Sequence, residues 1–422
     1  MFLKTKLVKI SKFLYFVLLF ILPVNLGKHF EIFDSYVGGV LVDYLVPTIF
    51  VQDILVILII FFWILSGGLK RVFCERDLLK KRHVQYSTLF VFSLFLSTLN
   101  SARFVPSIYA WLRLFLYFLL FIYSLVEIPI ETYFFRILNI FSLSLLLVSI
   151  LGIAQFVQKG SVFDNYLVFG EQPYSSATYG VPKESFFGKG VVPSYGLFRH
   201  PNIFGGYLSI VLVWVFSFLK NRKFYRIPFL FGCVALLFTF SKISWAVFLF
   251  GVFLHLLFVK DPGEIKNRKK KAVFLVYFAV VLSLLLPLSS CLTDTENKSI
   301  SRRANLVAAS YKMIENNFLF GVGFNNSTIF IDEYNYAGTD LRFSQPVHNI
   351  FLLLFSEGGV FSLIFFALLI RECARNFINS SYFHIYLISF LQILLLGSFD
   401  HYFITIHQTL LLFWIVLGLG LQ

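Results

Sequence analysis

The sequence is poor in charged residues and in cysteine, and both shortages restrict what the chain can be. Only 14% of its 422 residues are charged, whereas 58% are hydrophobic and 19% are aromatic. This balance excludes a soluble domain of that length and is typical of a protein that crosses a membrane several times. Of the four cysteines, only Cys291 falls in a predicted external loop. An intramolecular disulfide between external loops is therefore excluded, and no spacing of Cys and His indicates zinc.

The sequence also contains no P-loop, no dinucleotide-binding fingerprint and no internal repeat. Its net charge of +14 is compatible with nucleic-acid binding, but the basic residues lie in short segments between apolar runs. We interpret these residues as determinants of membrane topology. Neither a nucleic-acid partner nor a cofactor is predicted.

Twelve apolar runs predict helices that cross a bilayer, for which roughly 17–25 residues are needed. The runs lie at about 10–26, 47–67, 86–101, 106–126, 137–158, 201–219, 227–241, 243–259, 272–290, 348–370, 381–398 and 403–421. Four lysines precede the apolar segment Phe13–Leu26 and no small-residue cleavage site follows it, which favours an uncleaved anchor over a signal peptide. The predicted fold is therefore an all-α polytopic membrane protein, with residues 1–422 in one integral domain.

The distribution of lysine and arginine predicts the orientation of this fold. With a cytoplasmic N-terminus, 23 of the 36 Lys and Arg residues fall in the short segments that face the cytoplasm. This excess agrees with the positive-inside rule and places both termini in the cytoplasm. Two long extracytoplasmic loops follow, at 159–200 and 291–347, and they contain most of the sequence outside the spans.

Three predicted spans that start at the outer face begin with basic or polar residues. These residues are Arg199, His200 and Asn202 at the sixth span, Lys242 at the eighth, and His348 and Asn349 at the tenth. A helix N-terminus presents unpaired N–H groups and a partial positive charge. Basic side chains beside three such ends predict a pocket for phosphate or pyrophosphate. The alternative is that Arg199 and Lys242 contact lipid headgroups.

His348 is the best candidate for a general base, because an imidazole titrates near neutral pH and accepts a proton from an attacking hydroxyl. The alternative is a capping or interfacial histidine. The same two interpretations apply to His200, where the adjacent Arg199 disfavours a second positive charge. Arg302 and Arg303 lie within an external loop, against the positive-inside trend. Guanidinium groups bind phosphate through paired hydrogen bonds, but a solvated helix face is the other interpretation.

Charged residues inside predicted spans are costly and therefore informative. Arg113 lies in the fourth span and Glu357 in the tenth, and we predict a buried pair between them. Asp400 and His401 are expected near the outer surface. A proton-coupled transporter could use such residues as well. The external carboxylates are irregularly spaced, and no metal site is predicted from them.

The segment 301–362 resembles the C-terminal signature of the O-antigen ligase/O-antigen polymerase superfamily of bacterial membrane glycosyltransferases. The matching residues are Arg302 and Arg303, then Asn317–Gly323, then His348 and Asn349 followed by nine residues and Gly359. The chain departs from the ligase pattern at Ser362, where the family has Gly, Thr or Tyr. Upstream, Gly196–Asn202 resembles the family's G-x-f-x-x-P-N segment, and Thr239–Lys242 resembles T-x-S-R with lysine in place of arginine.

This resemblance implies a GT-C-like glycosyltransferase at the outer face of the bacterial cytoplasmic (inner) membrane that needs no metal. Such an enzyme transfers a glycan from undecaprenyl pyrophosphate to an acceptor hydroxyl on a glycan, a lipid or a protein. By resemblance His348 is the base, and the pyrophosphate-binding residues are Arg199, Arg302, Arg303, Lys242 and Asn349. Supporting roles fall to His200, Asn202, Glu357, Asp400 and His401. Ligase, polymerase and protein glycosyltransferase stay open, as does the choice between Arg302 and Arg303.

The rival hypothesis is a transporter or flippase for lipid-linked sugars, which predicts an internal repeat and charges along a central cavity. The enzyme hypothesis instead requires His348, Arg199 and either Arg302 or Arg303 to surround one outward-facing cavity. The two hypotheses therefore differ in the predicted position of a few named side chains.

Overall fold

The computed structural model describes residues 2–74, 76–186, 188–220, 222–260, 298–334, 345–380 and 382–422, and most of them are helical. The α-helices are α1 (Phe2–Phe20), α2 (Val51–Leu65), α3 (Gly68–Cys74), α4 (Arg76–Lys80), α5 (Arg82–Leu99), α6 (Phe104–Glu127), α7 (Ile130–Gln158), α8 (Pro201–Phe216), α9 (Arg226–Phe238), α10 (Lys242–Lys260), α11 (Lys298–Asn316), α12 (Ile331–Tyr334), α13 (Ile350–Asn376), α14 (Phe383–Phe399), α15 (Tyr402–Thr405) and α16 (His407–Gly420). The strands are β1 (Gly27–His29), β2 (Tyr36–Val37), β3 (Val40–Leu41), β4 (Thr48–Phe50), β5 (Glu184–Phe186) and β6 (Lys189–Val191).

Most of the described helices coincide with the predicted apolar runs. Eleven of the twelve predicted spans fall on helices, and the ninth, 272–290, lies outside the described residues. Among the described helices, α6, α7 and α13 are long and apolar enough to cross a membrane. Five shorter apolar helices accompany them: Val51–Leu65, Pro201–Phe216, Lys242–Phe258, Phe383–Phe399 and His407–Gly420. The chain is thus a mostly helical membrane protein, while the count of twelve spans and the GT-C-like fold stay predictions.

Helix α13 is broken where the sequence places two consecutive glycines. Gly359 has φ 71° and ψ −174°, a backbone conformation that only glycine adopts readily. The turn at 318–323 packs into this break, and the N–H groups of Val322 and Val360 bond to the carbonyls of Ser356 and Phe318, each at 2.9 Å. The break therefore anchors the segment that follows α11.

Gln392 connects the three helices α8, α10 and α14 within the core. Its Nε2 donates to the carbonyl of Ser209 in α8 at 2.9 Å and to that of Val247 in α10 at 3.2 Å. Both acceptors lie inside the apolar interior, where an amide without partners is costly. Because α8 and α10 start, and α14 ends, on the same side of Gln392, residues 199–202, 239–242 and 400–401 gather at one end of the molecule.

The predicted buried pair between Arg113 and Glu357 is wrong. The guanidinium of Arg113 pairs with the carboxylate of Asp53 in α2 at 3.0 Å. Glu357 instead accepts hydrogen bonds from the N–H of Asn325 at 2.9 Å and the hydroxyl of Ser327 at 2.7 Å. Each of the two side chains bonds to a group that packs against its own helix. The order of the spans along the chain does not reveal which helices pack together.

A segment outside the two predicted long loops covers the end of the molecule where residues 199–202, 239–242 and 400–401 gather. Residues 27–50 form two small antiparallel pairs, β1 with β4 and β2 with β3. The hairpin of β5 and β6 lies within the loop predicted at 159–200. The other predicted loop, 291–347, contains α11 and α12 in its described part. That both loops are extracytoplasmic stays a prediction.

Candidate active site

The segment that carries Arg199 is held by the end of α7. The side-chain oxygen of Gln155 accepts the N–H of Gly196 at 2.8 Å, and its Nε2 donates to the Gly196 carbonyl at 2.8 Å and to Glu171 at 2.7 Å. Helix α8 then begins at Pro201, and His200 Nδ1 accepts the N–H of Asn202 at 3.2 Å. Proline at the first helical position suits this start, since it has no N–H to leave unpaired.

Asn349 aligns the start of α13 with the end of α14. Its side-chain oxygen accepts the N–H groups of Phe351 at 2.9 Å and Leu352 at 3.0 Å, which makes it the N-cap of α13. Its Nδ2 donates to the carbonyl of Ser398 in α14 at 3.1 Å. The buried amide of Asn349 thereby places His348 next to Asp400 and His401.

These segments enclose a cavity of about 720 Å³. Most of the predicted site residues line it, namely Arg199, His200, Asn202, Arg302, Arg303, His348, Asp400 and His401. The arginines come from α11 and from the segment before α8, and the histidine comes from the start of α13. Residues 100 or more apart in sequence therefore share one space, as the enzyme hypothesis requires.

Three predicted residues do not line the cavity. Lys242 begins α10, although its neighbours Thr239 and Phe240 do contribute to the wall. The side chain of Asn349 caps α13, and Glu357 bonds to the segment 325–327 deeper in the protein. The structure therefore gives Asn349 and Glu357 positioning contacts and places their side chains away from the cavity.

Sequence reasoning missed two parts of the wall. Residues 40–44 cover one side, and the ring of Tyr44 meets that of His401 edge-on with centroids 5.3 Å apart. Gln172 and Glu184 contribute from the loop between α7 and α8. For Gln172 and Glu184 the only sequence signal was their polarity within a predicted external loop, and that signal is shared by many residues that lie elsewhere.

The electrostatics of the cavity favour neutral histidines beside a charged aspartate. Burial lowers the pKa of His348, Asp400 opposes this shift, and Arg303 and Arg302 add to it. Burial also lowers the pKa of His401, to about 3. Burial alone would raise the pKa of Asp400, but the neighbouring histidines and the N–H of His401, at 2.8 Å, hold it below its ordinary value. At neutral pH His348 is thus predominantly neutral and able to accept a proton.

His348, Asp400 and His401 also have the composition of a metal site. Each offers a ligand atom, and these atoms all lie within 4.8 Å of one another. The two imidazole rings stand edge to face with centroids 5.3 Å apart. Two imidazoles and a carboxylate suit zinc or another divalent transition metal. That the reaction needs no metal stays a prediction.

Part of the chain matches a known protein family. Residues 205–367 match the family described as O-Antigen ligase. This match supports an assignment to the O-antigen ligase/O-antigen polymerase superfamily, and it confirms the resemblance seen in the motifs. The comparison with curated proteins gives no match.

The matched range includes only some of the candidate site residues. It includes Arg302, Arg303 and His348, but ends before Asp400 and begins after Arg199. A domain of this family indicates a glycosyl-transferring membrane enzyme whose partners are, in general, a lipid-linked glycan and an acceptor. The residues outside the range belong to the site because they line the same cavity, and Asp400 and His401 also lie close to His348.

Proposed function

We propose that this member of the superfamily transfers a glycan from undecaprenyl pyrophosphate to an acceptor hydroxyl at the outer face of the cytoplasmic membrane. The observation that carries the proposal is the single cavity of about 720 Å³ that collects His348 with Arg199, Arg302 and Arg303. One neutral base beside three permanent cations suits a reaction that deprotonates a hydroxyl and releases a dianionic or trianionic group.

His348 acts as the general base in this proposal. The acceptor oxygen attacks the anomeric carbon of the donor, and its proton passes to the imidazole as the new glycosidic C–O bond forms. The bond between the anomeric carbon and the pyrophosphate oxygen breaks at the same time. Protonated His348 is stabilised by Asp400, whose charge raises the histidine pKa, and the proton then returns to water.

The arginines act on the leaving group. As the C–O bond breaks, negative charge grows on the lipid pyrophosphate, and preorganised cations stabilise that charge more than they stabilise the bound donor. Paired N–H donors match the oxygens of a phosphate. Arg199 precedes the start of α8, while Arg302 and Arg303 belong to α11. The pyrophosphate is therefore bound by arginines from two different segments.

The proposal is tested by reconstitution. The purified protein is placed in liposomes with an undecaprenyl-pyrophosphate-linked oligosaccharide, and the products are separated by size on a gel. A ladder of lengths indicates a polymerase, and one discrete product that needs an added acceptor indicates a ligase or a protein glycosyltransferase. Movement of the donor across the bilayer without any transfer would contradict the proposal and favour a transporter.

The two adjacent arginines are expected to differ. The charge of Arg303 lowers the pKa of His348 more than the charge of Arg302 does, and it also lowers the pKa of His200 and of His401. We predict that Arg303→Gln lowers kcat by about 10²–10³-fold, the usual cost of removing one preorganised charge-stabilising donor, and that Arg302→Gln lowers it less than tenfold. Steady-state rates in the liposome assay check this order. Equal losses would show that both guanidinium groups serve the pyrophosphate alike.

A second prediction concerns divalent metal ions. Because His348 is needed as a free base, a metal held by His348, Asp400 and His401 competes with the proton transfer. We expect EDTA to leave the rate unchanged and micromolar Zn²⁺ to reduce it severalfold. Asp400 and His401 supply two of the ligands, so His401→Gln should weaken the inhibition. A rate that EDTA abolishes and Zn²⁺ restores would instead make the cluster a required metal site.

A further inference from the structure

A second cavity of about 720 Å³ lies far from the candidate active site. Its wall is formed by α1, α7 and the segment after α8: Phe13, Phe16, Val17, Phe20, Arg136, Asn139, Ile140, Leu143, Arg222 and Phe224. Helix α8 starts at the active-site cavity, and its far end at Phe216 is about 22 Å away at 1.5 Å per residue. Arg222 follows that far end. The second cavity, here called the basic groove, therefore lies at the opposite end of the helices.

The basic groove is apolar along its length and cationic at one end. Seven of its ten wall residues are aromatic or aliphatic, and Phe13, Leu143 and Phe224 have relative exposures of 62%, 44% and 54%. The groove is thus open at the surface of the protein, where a lipid can enter it. None of its wall residues is acidic, while Arg136 and Arg222 both contribute to it. Such a surface fits a molecule with a long apolar tail and a negatively charged head.

In the part of the chain that the structure describes, aromatic rings and not acids hold both guanidinium groups in place. The Cζ of Arg136 lies 4.1 Å from the centroid of Phe16, and that of Arg222 lies 4.6 Å from the centroid of Phe135. A ring stacked on the guanidinium face orients the group and leaves its edge N–H donors available. Within the described residues, no carboxylate forms an ion pair with either arginine. Their donors are therefore available to a ligand.

We propose that the basic groove binds one anionic phospholipid, with its phosphate between Arg136 and Arg222 and an acyl chain along Phe13, Val17 and Leu143. Charge complementarity selects this occupant, because a zwitterionic lipid brings a cation to a site that already has two and no acid. Arg136 and Arg222 belong to segments predicted to be cytoplasmic, which corresponds to the leaflet where anionic lipids attract basic residues. The inference requires only that the chain lies in a membrane, and it is independent of the transfer reaction.

Native mass spectrometry of the detergent-purified full chain tests the proposal. The protein is titrated with dioleoyl-phosphatidylglycerol or with dioleoyl-phosphatidylcholine, and the bound lipids are counted. We expect the wild type to bind one phosphatidylglycerol at least tenfold more tightly than phosphatidylcholine. The variant R136Q/R222Q should lose this preference to within twofold, and R136K/R222K should fall between them because lysine retains the charge without the paired donors.

The matched control is K223Q/R226Q. Like R136Q/R222Q, it removes two positive charges from this region, but neither Lys223 nor Arg226 lines the groove. This variant should keep the tenfold preference. Equal binding of the two lipids by the wild type, or an equal loss in R136Q/R222Q and K223Q/R226Q, would overturn the proposal in favour of general attraction to a basic surface.

A substitution in the apolar wall provides a second test if R136Q/R222Q does not fold. Leu143→Trp fills the groove and keeps both arginines. It should reduce the binding of phosphatidylglycerol at least fivefold, while the glycan-transfer rate in the liposome assay stays within twofold of the wild type. Undiminished binding by Leu143→Trp would contradict the proposed position of the acyl chain. Because transfer is measured separately, a failure of the active-site proposal leaves this test unaffected.

Discussion

His348→Gln is expected to lower the rate of glycan transfer by about 10²–10⁴-fold, the range that a positioned general base contributes. The reason is geometric as well as chemical. His348 is the imidazole that lines the cavity at the start of α13, with Arg199, Arg302 and Arg303 in the same wall. Glutamine keeps a polar side chain of similar size but accepts no proton near neutral pH. The rate is measured in the liposome assay, with donor binding recorded separately.

His384→Gln is the control for this experiment. His384 lies in α14 beside His255, with the two ring centroids 5.3 Å apart, and it is absent from the cavity wall. The control should transfer glycan within a factor of two of the wild type. If His348→Gln retains the wild-type rate, His348 is a capping or interfacial residue and another group must take the proton. If donor binding is lost together with the rate, the imidazole binds the donor and does not act as the general base.

Gly359→Ala is expected to lower the free energy of unfolding by about 3 kcal/mol or more, the upper end of the cost of one residue held in a conformation reserved for glycine. The positive φ of 71° supplies part of this cost. The other part is steric, because an added Cβ would lie 2.1 Å from the carbonyl oxygen of Leu319. The turn at 318–323 would then leave the break in α13, and the end of α11 would move with it. Thermal unfolding in detergent measures the loss.

Gly67→Ala separates the two parts of that cost. Gly67 has a comparable φ of 86°, but nothing lies within 4 Å of an added Cβ. Its substitution should cost about 1–2 kcal/mol, from backbone strain alone. Similar losses in both variants would mean that the turn at 318–323 does not depend on the close approach to Gly359. A fall in transfer rate is also expected for Gly359→Ala, since α11 carries Arg302 and Arg303.

Most of the helices were predictable from sequence because each depends on neighbouring residues. An apolar run long enough to cross the hydrocarbon must satisfy its own backbone groups, so it forms a helix wherever it occurs. Two consecutive glycines weaken a helix locally, and the break at Gly359 follows. The match over 205–367 likewise agrees with motifs that could be read in a single stretch.

The wrong partner for Arg113 shows where such reasoning stops. The sequence predicts a pair of Arg113 and Glu357 because both are charged groups in apolar runs, but Asp53 lies across from Arg113 and segment 325–327 lies across from Glu357. Which helices face each other depends on the packing of all their side chains. The wall at 40–44 was missed for the same reason, since no local signal brings those residues to His401.

The sequence by itself determined the membrane character, most helix positions and the residue types of the site, because apolar runs and short motifs act over a few neighbouring residues. Only the tertiary structure decided that Arg199, Arg302, Arg303 and His348 share one cavity with Asp400, and that Asn349 and Glu357 hold the frame around it. Those relations join residues up to about two hundred positions apart, and they exist only once Gln155, Asn349 and Gln392 have bonded the segments together.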